Sequence, residues 1–302
     1  MTCEPLLDLL RLLKERDYDF TAVTPATHAR VVARPCERPT TRDIFGWNRS
    51  FEPADLAPEL LKCLEHSGTL EQCDGRLRSK VRVARLGGDL FLHSSFPTID
   101  SDAVFFGPDT YRFARFVTDS IVHMELDPAS VVDMGAGSAA GAVAAARMLP
   151  SARLTCVDVN PRALELAAIN LRAAGIEAEL VCSSKLPDGA DLVIANPPYM
   201  MDSEQRAYRD GGGLLGGEVA LDWARNALSA MSATGTMLLY SGASVVDGVA
   251  PLIGALQRAC TSARSQFDFE EIDPDVFGEE LDQRAYGAVE RIEVIGATIR
   301  RA

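Results

Sequence analysis

The segment A-N-P-P-Y-M, residues 195–200, places an asparagine, two prolines and a tyrosine directly after the apolar run D-L-V-I. Neither proline can donate a backbone hydrogen bond, so a strand that ends here cannot continue its ladder. Two interpretations are open. In an ordinary loop, Asn196 caps the backbone and Tyr199 packs. In a site for a planar NH2 group, the Asn196 side-chain oxygen and the Pro197 carbonyl each accept one N–H, and Tyr199 offers a stacking face.

A second segment, V-V-D-M-G-A-G-S-A-A-G at residues 131–141, is typical of a strand that runs into a glycine-rich turn. Gly135 and Gly137 would let the backbone approach a ligand closely, and Asp158, about 20 residues on, could accept hydrogen bonds from ribose hydroxyls. The spacing also fits the G-x-G-x-x-A form of the dinucleotide fingerprint, so an NAD-dependent dehydrogenase remains an alternative. Asp133 favours S-adenosylmethionine (SAM), because its carboxylate can meet a cationic or amine-bearing cofactor but would repel a pyrophosphate.

Strand–helix alternation over residues 104–302 predicts the elements that position these side chains. The pattern is typical of an α/β fold with a doubly wound, mostly parallel sheet. Residues 267–273 and 291–300 are expected to form a closing antiparallel pair. Five glycines within Y-R-D-G-G-G-L-L-G-G-E, residues 208–218, predict a mobile lid or a close backbone approach. Nearby, Arg206, Arg209 and Asp210 are either substrate contacts or solvated loop charges.

Residues 1–103 form a different module. Leucines over a wide face predict a helix at 5–16, a further helix ends at Gly68, and residues 76–94 predict a β-hairpin turning at Gly87-Gly88. Short helices followed by a hairpin indicate a winged-helix-like module. One face of its first strand carries four cations that either contact phosphate or an acidic partner, or are solvated: Arg76, Arg78, Lys80 and Arg82.

Composition excludes several classes of protein. The 302 residues are 47% hydrophobic, which supplies a sizeable core, yet no apolar run is long enough to span a membrane. Seven scattered cysteines without a C-x-x-C pair suggest neither a disulfide framework nor a zinc site, and favour the cytoplasm. The net charge of −13 is concentrated after residue 120, where it is about −11. An acidic C-terminal part argues against broad electrostatic capture of nucleic acid.

Taken in order, the segments D-M-G-A-G-S-A-A-G, V-D-V-N-P-R-A-L and L-V-I-A-N-P-P-Y-M resemble Rossmann-like SAM-dependent methyltransferases of the NPPY type. The closest resemblance is to the branch that methylates the glutamine amide of peptide release factors, together with related amino-methyltransferases of nucleic acids. It covers roughly residues 104–245. The resemblance implies that Asp133, Gly135 and Gly137 line the methionine and ribose of SAM, and that Asp158 holds the ribose hydroxyls. Asn196 is expected to face both cofactor and acceptor.

Two further correspondences follow from the resemblance. F-F-G-P-D-T-Y is similar to the proline–threonine loop of that branch, which implies that Phe106, Pro108 and Thr110 cover the cofactor. Ser184 stands where the family usually has an aspartate facing the adenine amine. Residues 1–103 have no obvious match to the helical substrate-binding domain of the release-factor enzymes.

The leading hypothesis is a SAM-dependent N-methyltransferase acting on a nitrogen conjugated to a π-system. The acceptor is either the glutamine-type amide of a protein or an amide or guanidine of a small molecule. Alternatives are a methyltransferase of an exocyclic base amine in RNA or DNA, a winged-helix regulator that senses SAM without turnover, and the dehydrogenase. No membrane partner is expected.

Overall fold

The computed structural model describes residues 3–98, 100–202, 204, 206 and 208–301. Packing divides them into two compact units. The first contains the described residues through Tyr111 together with Gly137–Ala140 and Pro161–Glu177; the second contains Arg112–Ala136, Gly141–Asn160 and the described residues from Ala178 onward. The predicted division into domains 1–103 and 104–302 stays a prediction.

The secondary structure follows the chain in this order. The α-helices are α1 (Cys3–Glu15), α2 (Pro25–Val32), α3 (Thr41–Phe45), α4 (Pro58–Ser67), α5 (Pro108–His123), α6 (Ala140–Met148), α7 (Pro161–Ala174), α8 (Glu218–Ala230) and α9 (Pro251–Ser262). The strands are β1 (Leu70–Cys73), β2 (Arg76–Ser79), β3 (Val81–Leu86), β4 (Asp89–Ser94), β5 (Ser130–Met134), β6 (Arg153–Asp158), β7 (Glu179–Cys182), β8 (Leu192–Ala195), β9 (Thr236–Val245), β10 (Gln266–Asp273) and β11 (Arg291–Arg300).

The first unit confirms the predicted elements of the N-terminal part. The leucines of α1 are buried, and α4 ends at Gly68, whose φ of +70° is the left-handed conformation that stops a helix. β3 and β4 form the expected hairpin, with Leu86 paired to Asp89 across Gly87-Gly88. β1 and β2 form a second antiparallel pair.

The predicted row of four cations on one strand is wrong, because the strand β2 ends at Ser79 and a new strand, β3, begins at Val81. The Ser79 hydroxyl donates to the Val81 carbonyl at 2.7 Å, a local bond that competes with the ladder. Arg76 then pairs with Asp55 at 3.1 Å and Arg78 with Glu71 at 2.6 Å, while Arg82 is buried and Lys80 exposed. This face therefore presents no row of free cations.

The second unit confirms the mostly parallel sheet. Its strand order is β10-β11-β9-β8-β5-β6-β7, with β9, β8, β5, β6 and β7 parallel to one another. β10 and β11 form the predicted antiparallel pair, and β11 also runs antiparallel to β9. From β5 the chain proceeds outward through β6 and β7, and then returns to place β8 on the other side of β5. The topological switch point of the sheet therefore lies between β5 and β8, where ligands bind in open α/β sheets.

Two helices differ from the sequence-based expectation. Pro108 and Thr110, predicted in a loop, lie in the first turn of α5, since proline is favoured at the start of a helix. α9 was not predicted; its proline again occupies the first turn. Within the described part of the chain, no helix is long and apolar enough to cross a membrane.

Candidate active site

Parallel strands bring the two principal motifs together at the switch point. Met134 at the end of β5 pairs with Ala195 at the end of β8, so Gly135 and Asn196 leave the same edge of the sheet side by side. Because neighbouring strands are about 5 Å apart, these two backbones are adjacent. The site predicted from two separate segments is therefore one place in the fold of the second unit.

Asp133 is a buried carboxylate on β5, with 1% of its surface exposed. Its Oδ2 accepts a hydrogen bond from the Ala142 backbone N–H at 2.8 Å, in the first turn of α6. Burial raises the pKa of this carboxyl to about 7; the Ala142 hydrogen bond opposes the rise, and the charge of Asp158 adds to it. A cation or an N–H donor beside Asp133 would favour its ionised form.

Gly135 needs its small size. Its φ is +72°, its N–H donates to the Val157 carbonyl at 2.8 Å, and a Cβ there would lie 2.4 Å from Cη2 of Trp223 on α8. No side chain fits in that position, because the Trp223 ring packs directly against the glycine. The sequence offered no sign that Trp223 covers this turn, since the two residues are far apart in the chain. Gly137 also has a positive φ, of +54°, and packs with the first unit.

Asp158 and Ser184 end the neighbouring strands. Asp158 is half-buried at the end of β6, and its Oδ1 accepts the Asn160 N–H at 2.8 Å. Its backbone carbonyl accepts the Ser183 N–H at 3.1 Å just beyond β7, so the two strand ends are adjacent. Ser184 is exposed, whereas the hydroxyl of Ser183 accepts the Lys185 N–H at 2.9 Å. Ser184 is therefore the more accessible of the two serines, as a contact to an adenine amine requires.

Asn196 and Pro197 present two hydrogen-bond acceptors. Asn196 is half-buried directly after β8, in the centre of the sheet. Among the described residues, neither its side-chain amide nor the Pro197 carbonyl makes a hydrogen bond. Pro198 follows and holds the backbone in a fixed direction. Two acceptors held this way can receive both N–H groups of one planar NH2.

Tyr199 is more enclosed than a stacking platform requires. It is 8% exposed, a Cβ on Gly242 of β9 would lie 2.3 Å from its Cδ2, and Phe277 meets its ring at 6.1 Å and 62°. One ring face therefore lies on Gly242. The stacking role of Tyr199 stays a prediction that depends on the remaining surface of the ring.

The glycine-rich loop folds back onto the residues after β8. The Met200 N–H donates to the Arg209 carbonyl at 3.0 Å, and the Gly211 N–H donates to the Met200 carbonyl at 2.8 Å. A Cβ on Gly216 would lie 2.3 Å from the Tyr199 carbonyl oxygen. The glycines thus allow a close backbone approach to the N-P-P-Y segment itself, which was one of the two predicted reasons for them.

Arg206 and Arg209 are not solvated loop charges. They belong to what we call the Asp202 cluster: Asp202, Arg206, Arg209 and Glu280. Arg206 binds both carboxylate oxygens of Asp202, at 2.8 and 2.6 Å, and Arg209 lies 2.5 Å from Glu280. These hydrogen bonds from Arg206 lower the pKa of the Asp202 carboxyl. Asp210 accepts the Gly212 N–H at 3.2 Å, a turn contact.

The C-terminal segment between β10 and β11 holds the same region. Glu280 reaches Arg209, Phe277 meets Tyr199, and the buried Tyr286 accepts the Met201 N–H through its hydroxyl at 2.8 Å. The sequence carries no local sign that this acidic segment lies beside the N-P-P-Y motif. Only the antiparallel return of β11 against β9 brings the two together.

The three remaining predicted residues lie in the first unit. Phe106 is buried, with its ring stacked on His93 at a centroid distance of 5.2 Å. Pro108 starts α5, and the Thr110 hydroxyl accepts the Gly107 N–H at 3.2 Å. Their predicted role in covering the cofactor stays a prediction.

The donor set fits SAM better than a dinucleotide. The Asp133 carboxylate accepts the N–H of Ala142 in the first turn of α6. A dinucleotide-binding fold would bind its pyrophosphate at this helix N-terminus. A carboxylate there repels a diphosphate but suits the amine or sulfonium of SAM. Asp158, a half-buried carboxylate at the end of β6, suits ribose hydroxyls.

Comparisons with known proteins agree with this geometry. Residues 118–209 match the family model described as "Methyltransferase small domain". The chain is 28% identical over 197 residues to the ribosomal protein uL3 glutamine methyltransferase of Bordetella pertussis, covering 59% of this chain and 65% of that protein. It is 28% identical over 145 residues to the release factor glutamine methyltransferase of Chlorobaculum tepidum, covering 44% and 49%.

Among solved structures, Trm5b from Pyrococcus abyssi superposes with a TM-score of 0.50 at 15% identity, covering 76% of this chain and 61% of that one. This likeness supports the fold alone. The chain spans 65% and 49% of the length of the two curated relatives named above. The resemblance predicted from the motifs is confirmed: the chain carries a match to the methyltransferase small domain and is similar to SAM-dependent methyltransferases of the glutamine-amide branch.

Proposed function

We propose that this protein transfers a methyl group from SAM to the side-chain amide nitrogen of a glutamine in a protein. One observation carries the proposal. At the switch point of the sheet, Asn196 and Pro197 present two acceptors without partners among the described residues, directly beside the Gly135 turn. This arrangement suits a planar NH2 held next to a bound cofactor.

SAM, when bound, supplies an electrophilic methyl group on a sulfonium. Asp133 and the backbone of the Gly135 turn would hold its amino-acid end, and Asp158 its ribose. Ser184 would face the adenine amine. The contacts of the cofactor with Gly137, Phe106, Pro108 and Thr110 stay predictions from the resemblance.

Asn196 and Pro197 act on the acceptor. An amide nitrogen is a poor nucleophile, because its lone pair is delocalised into the carbonyl. If the Asn196 side-chain oxygen and the Pro197 carbonyl each accept one N–H, the nitrogen is held with its lone pair directed at the methyl group. Asn196 carries no charge and cannot act as a general base, so its contribution is positioning and electrostatic stabilisation. The amide proton that the product loses passes to solvent.

The relatives favour a protein acceptor, since they are glutamine methyltransferases of a release factor and of ribosomal protein uL3. The structure offers little support for the alternative of a base amine in RNA or DNA, because Arg76 and Arg78 are neutralised by carboxylates. An amide or guanidine of a small molecule would fit the same two acceptors. We also propose the cytoplasm as the location.

We further propose that residues 1–103 are a winged-helix-like module that selects the acceptor. The short helices α2, α3 and α4, followed by the β1–β2 and β3–β4 pairs, support this description. Connecting segments and hairpins on a rigid scaffold commonly carry recognition.

The test uses SAM with a tritiated methyl group and a lysate of cells that lack this protein. Label in macromolecules that protease removes and nuclease does not, and that appears as N5-methylglutamine after digestion, supports the proposal. Label released by nuclease would identify the base-amine alternative, and label only in small molecules the metabolite alternative.

Asn196→Ala separates catalysis from binding. We expect transfer to fall by about 10²- to 10³-fold, because one fixed acceptor is lost, while the protein still binds SAM. Asn226→Ala, the same substitution at an exposed position of α8, is the matched control and should retain full transfer. If the Asn196 variant transferred methyl at the normal rate, the N-P-P-Y segment would have no catalytic role. A wild type that binds SAM without any transfer would be a sensor.

A further inference from the structure

Arg82 is a buried arginine in the first unit whose charge has no partner among the residues that the structure describes. It lies on β3 directly opposite His93 of β4, and only 5% of its surface is exposed. Its Nε donates to the Ser94 carbonyl at 2.9 Å, and its Nη1 lies 3.4 Å from Nδ1 of His28. Its Nη2 makes no hydrogen bond within the described residues, and this atom keeps some exposed surface. The outer edge of the guanidinium therefore remains available.

No carboxylate among the described residues lies within 4.0 Å of this guanidinium. A buried charge without a counter-charge is costly, which is why buried arginines are normally paired. Burial lowers the pKa of Arg82 to about 10, so the group is still cationic at neutral pH. The unit thus keeps one unbalanced positive charge in its interior.

The two histidines beside Arg82 add hydrogen-bonding groups but no charge. We call Arg82, His28 and His93 the Arg82 cluster. Burial, followed by the charge of Arg82, lowers the pKa of His28 to about 4 and that of His93 well below its usual range. His93 is completely buried; its ring meets the Ser94 backbone, but neither ring nitrogen makes a well-formed hydrogen bond within the described residues. A neutral imidazole always carries one N–H, so His93 has a donor to offer.

Aromatic rings enclose the cluster. Phe96 stacks on His28 at 3.9 Å and lies under the Arg82 guanidinium at 5.9 Å, while Phe106 stacks on His93 at 5.2 Å. Such walls exclude water, and a charged hydrogen bond is stronger in their low-dielectric surroundings. One net positive charge balances a single negative charge. A planar carboxylate matches the edge of a guanidinium, whereas a phosphate dianion would leave a net negative charge buried.

We propose that the Arg82 cluster is a binding site for the carboxylate group of a ligand, held by Arg82 Nη2 and the ring N–H of His93. Side chains directly opposite each other on paired strands lie close enough to share one such group. This site is independent of the proposed methyl transfer. The carboxylate belongs to a ligand other than the cofactor.

The test titrates sodium formate into the full chain, with sodium chloride keeping the ionic strength constant, and follows the melting temperature. We expect a saturable rise that chloride alone does not give. Arg82→Met should weaken formate binding at least tenfold. Arg78→Met, which removes a cation already paired with Glu71, is the matched control and should bind formate as the wild type does. A rise equal to that in chloride, or equal affinity in the Arg82 variant, would overturn the proposal.

If Arg82→Met does not fold, two further measurements decide. His93→Phe keeps the charge but removes the N–H, so formate should bind several-fold more weakly. A crystal structure of the wild type grown in formate should show the anion at Nη2; a water molecule alone in that place would contradict the site. Saturating SAM should leave formate binding unchanged, because the ligand of this site is separate from the cofactor; displacement of formate by SAM would contradict that independence.

Discussion

Two charged clusters in this protein differ in whether each charge is paired with an opposite charge. In the Asp202 cluster every charge meets its opposite: Arg206 binds both oxygens of Asp202, and Arg209 reaches Glu280. In the Arg82 cluster one guanidinium is buried among neutral imidazoles and phenyl rings, and no carboxylate from the described part of the chain lies beside it. Balanced charges hold two segments of chain together, as Glu280 and Arg209 do here. An unbalanced charge adds little to stability and is instead suited to a ligand.

The first prediction concerns the loss of the Asp202 carboxylate from the Asp202 cluster. Asp202→Ala leaves the partly buried Arg206 without the carboxylate that it binds through two hydrogen bonds, and we expect it to lower the free energy of unfolding by about 3 to 4 kcal/mol. Urea denaturation measures the change. Glu204→Ala is the control in the same loop, because Glu204 is exposed and meets Arg206 only at 3.5 Å; it should cost less than about 0.5 kcal/mol. Equal effects of the two substitutions would show that the cluster is not a structural unit.

The second prediction uses pH to separate the clusters. His28 has a pKa of about 4 in the folded protein against an ordinary 6.5, so the unfolded chain takes up its proton first. Its contribution to stability is complete above pH 6.5 and is lost as the pH falls toward 4, by up to about 3 kcal/mol. Asp202, with a lowered pKa, loses its contribution only below its ordinary 3.8.

His28→Gln should therefore lose less stability than the wild type between pH 6.5 and 4, where the remaining loss is due to His93, and should leave the more acidic part unchanged. Asp133 acts in the opposite direction: its raised pKa stabilises the fold below pH 3.8, and that contribution is lost as the pH rises toward 7. The difference between wild type and His28→Gln cancels this opposing effect. A difference that does not change with pH would mean that His28 is not held neutral.

The third prediction concerns the segment that braces the N-P-P-Y motif. Tyr286→Phe removes the hydroxyl that accepts the Met201 N–H, and we expect a loss of about 1 to 2 kcal/mol in stability. Methyl transfer should fall several-fold through kcat or KM, with SAM affinity unchanged, because the segment positions residues 199–201. Tyr208→Phe, in the glycine-rich loop, is the comparison. Unchanged transfer by the Tyr286 variant would limit this contact to folding.

The smallest effect is expected at Arg82. In buffer without a carboxylate, Arg82→Met should change the free energy of unfolding by about 1 kcal/mol or less, because the hydrogen bond lost to Ser94 is offset by relief of burying a charge. Thermal and urea unfolding both report this. A loss as large as that of Asp202→Ala would mean that the buried guanidinium is a structural element and would remove the contrast between the clusters.

Most of the second unit could be predicted from the sequence. Apolar runs ending in Asp133, Asp158 and Asn196 locate the strand ends, and the glycines at 135 and 137 locate the cofactor turn. The alternation of strands and helices then requires a parallel sheet. Local signals of this kind suffice because each depends on residues within one element. The predicted row of cations is wrong because it extends the periodicity of a single strand across Ser79, whose side chain ends that strand.

The sequence by itself determined the residue types that meet at the switch point, and the order of elements that brings them there. Tertiary structure alone decided which of them are enclosed. Trp223 covers Gly135, and Gly242 lies beneath Tyr199. The Tyr286 hydroxyl accepts the Met201 N–H, and Arg82 is buried. Each of these contacts joins residues from different elements. Burial and the pKa of a side chain depend on all its neighbours in space, so only the folded chain reveals which charge is balanced and which is left for a ligand.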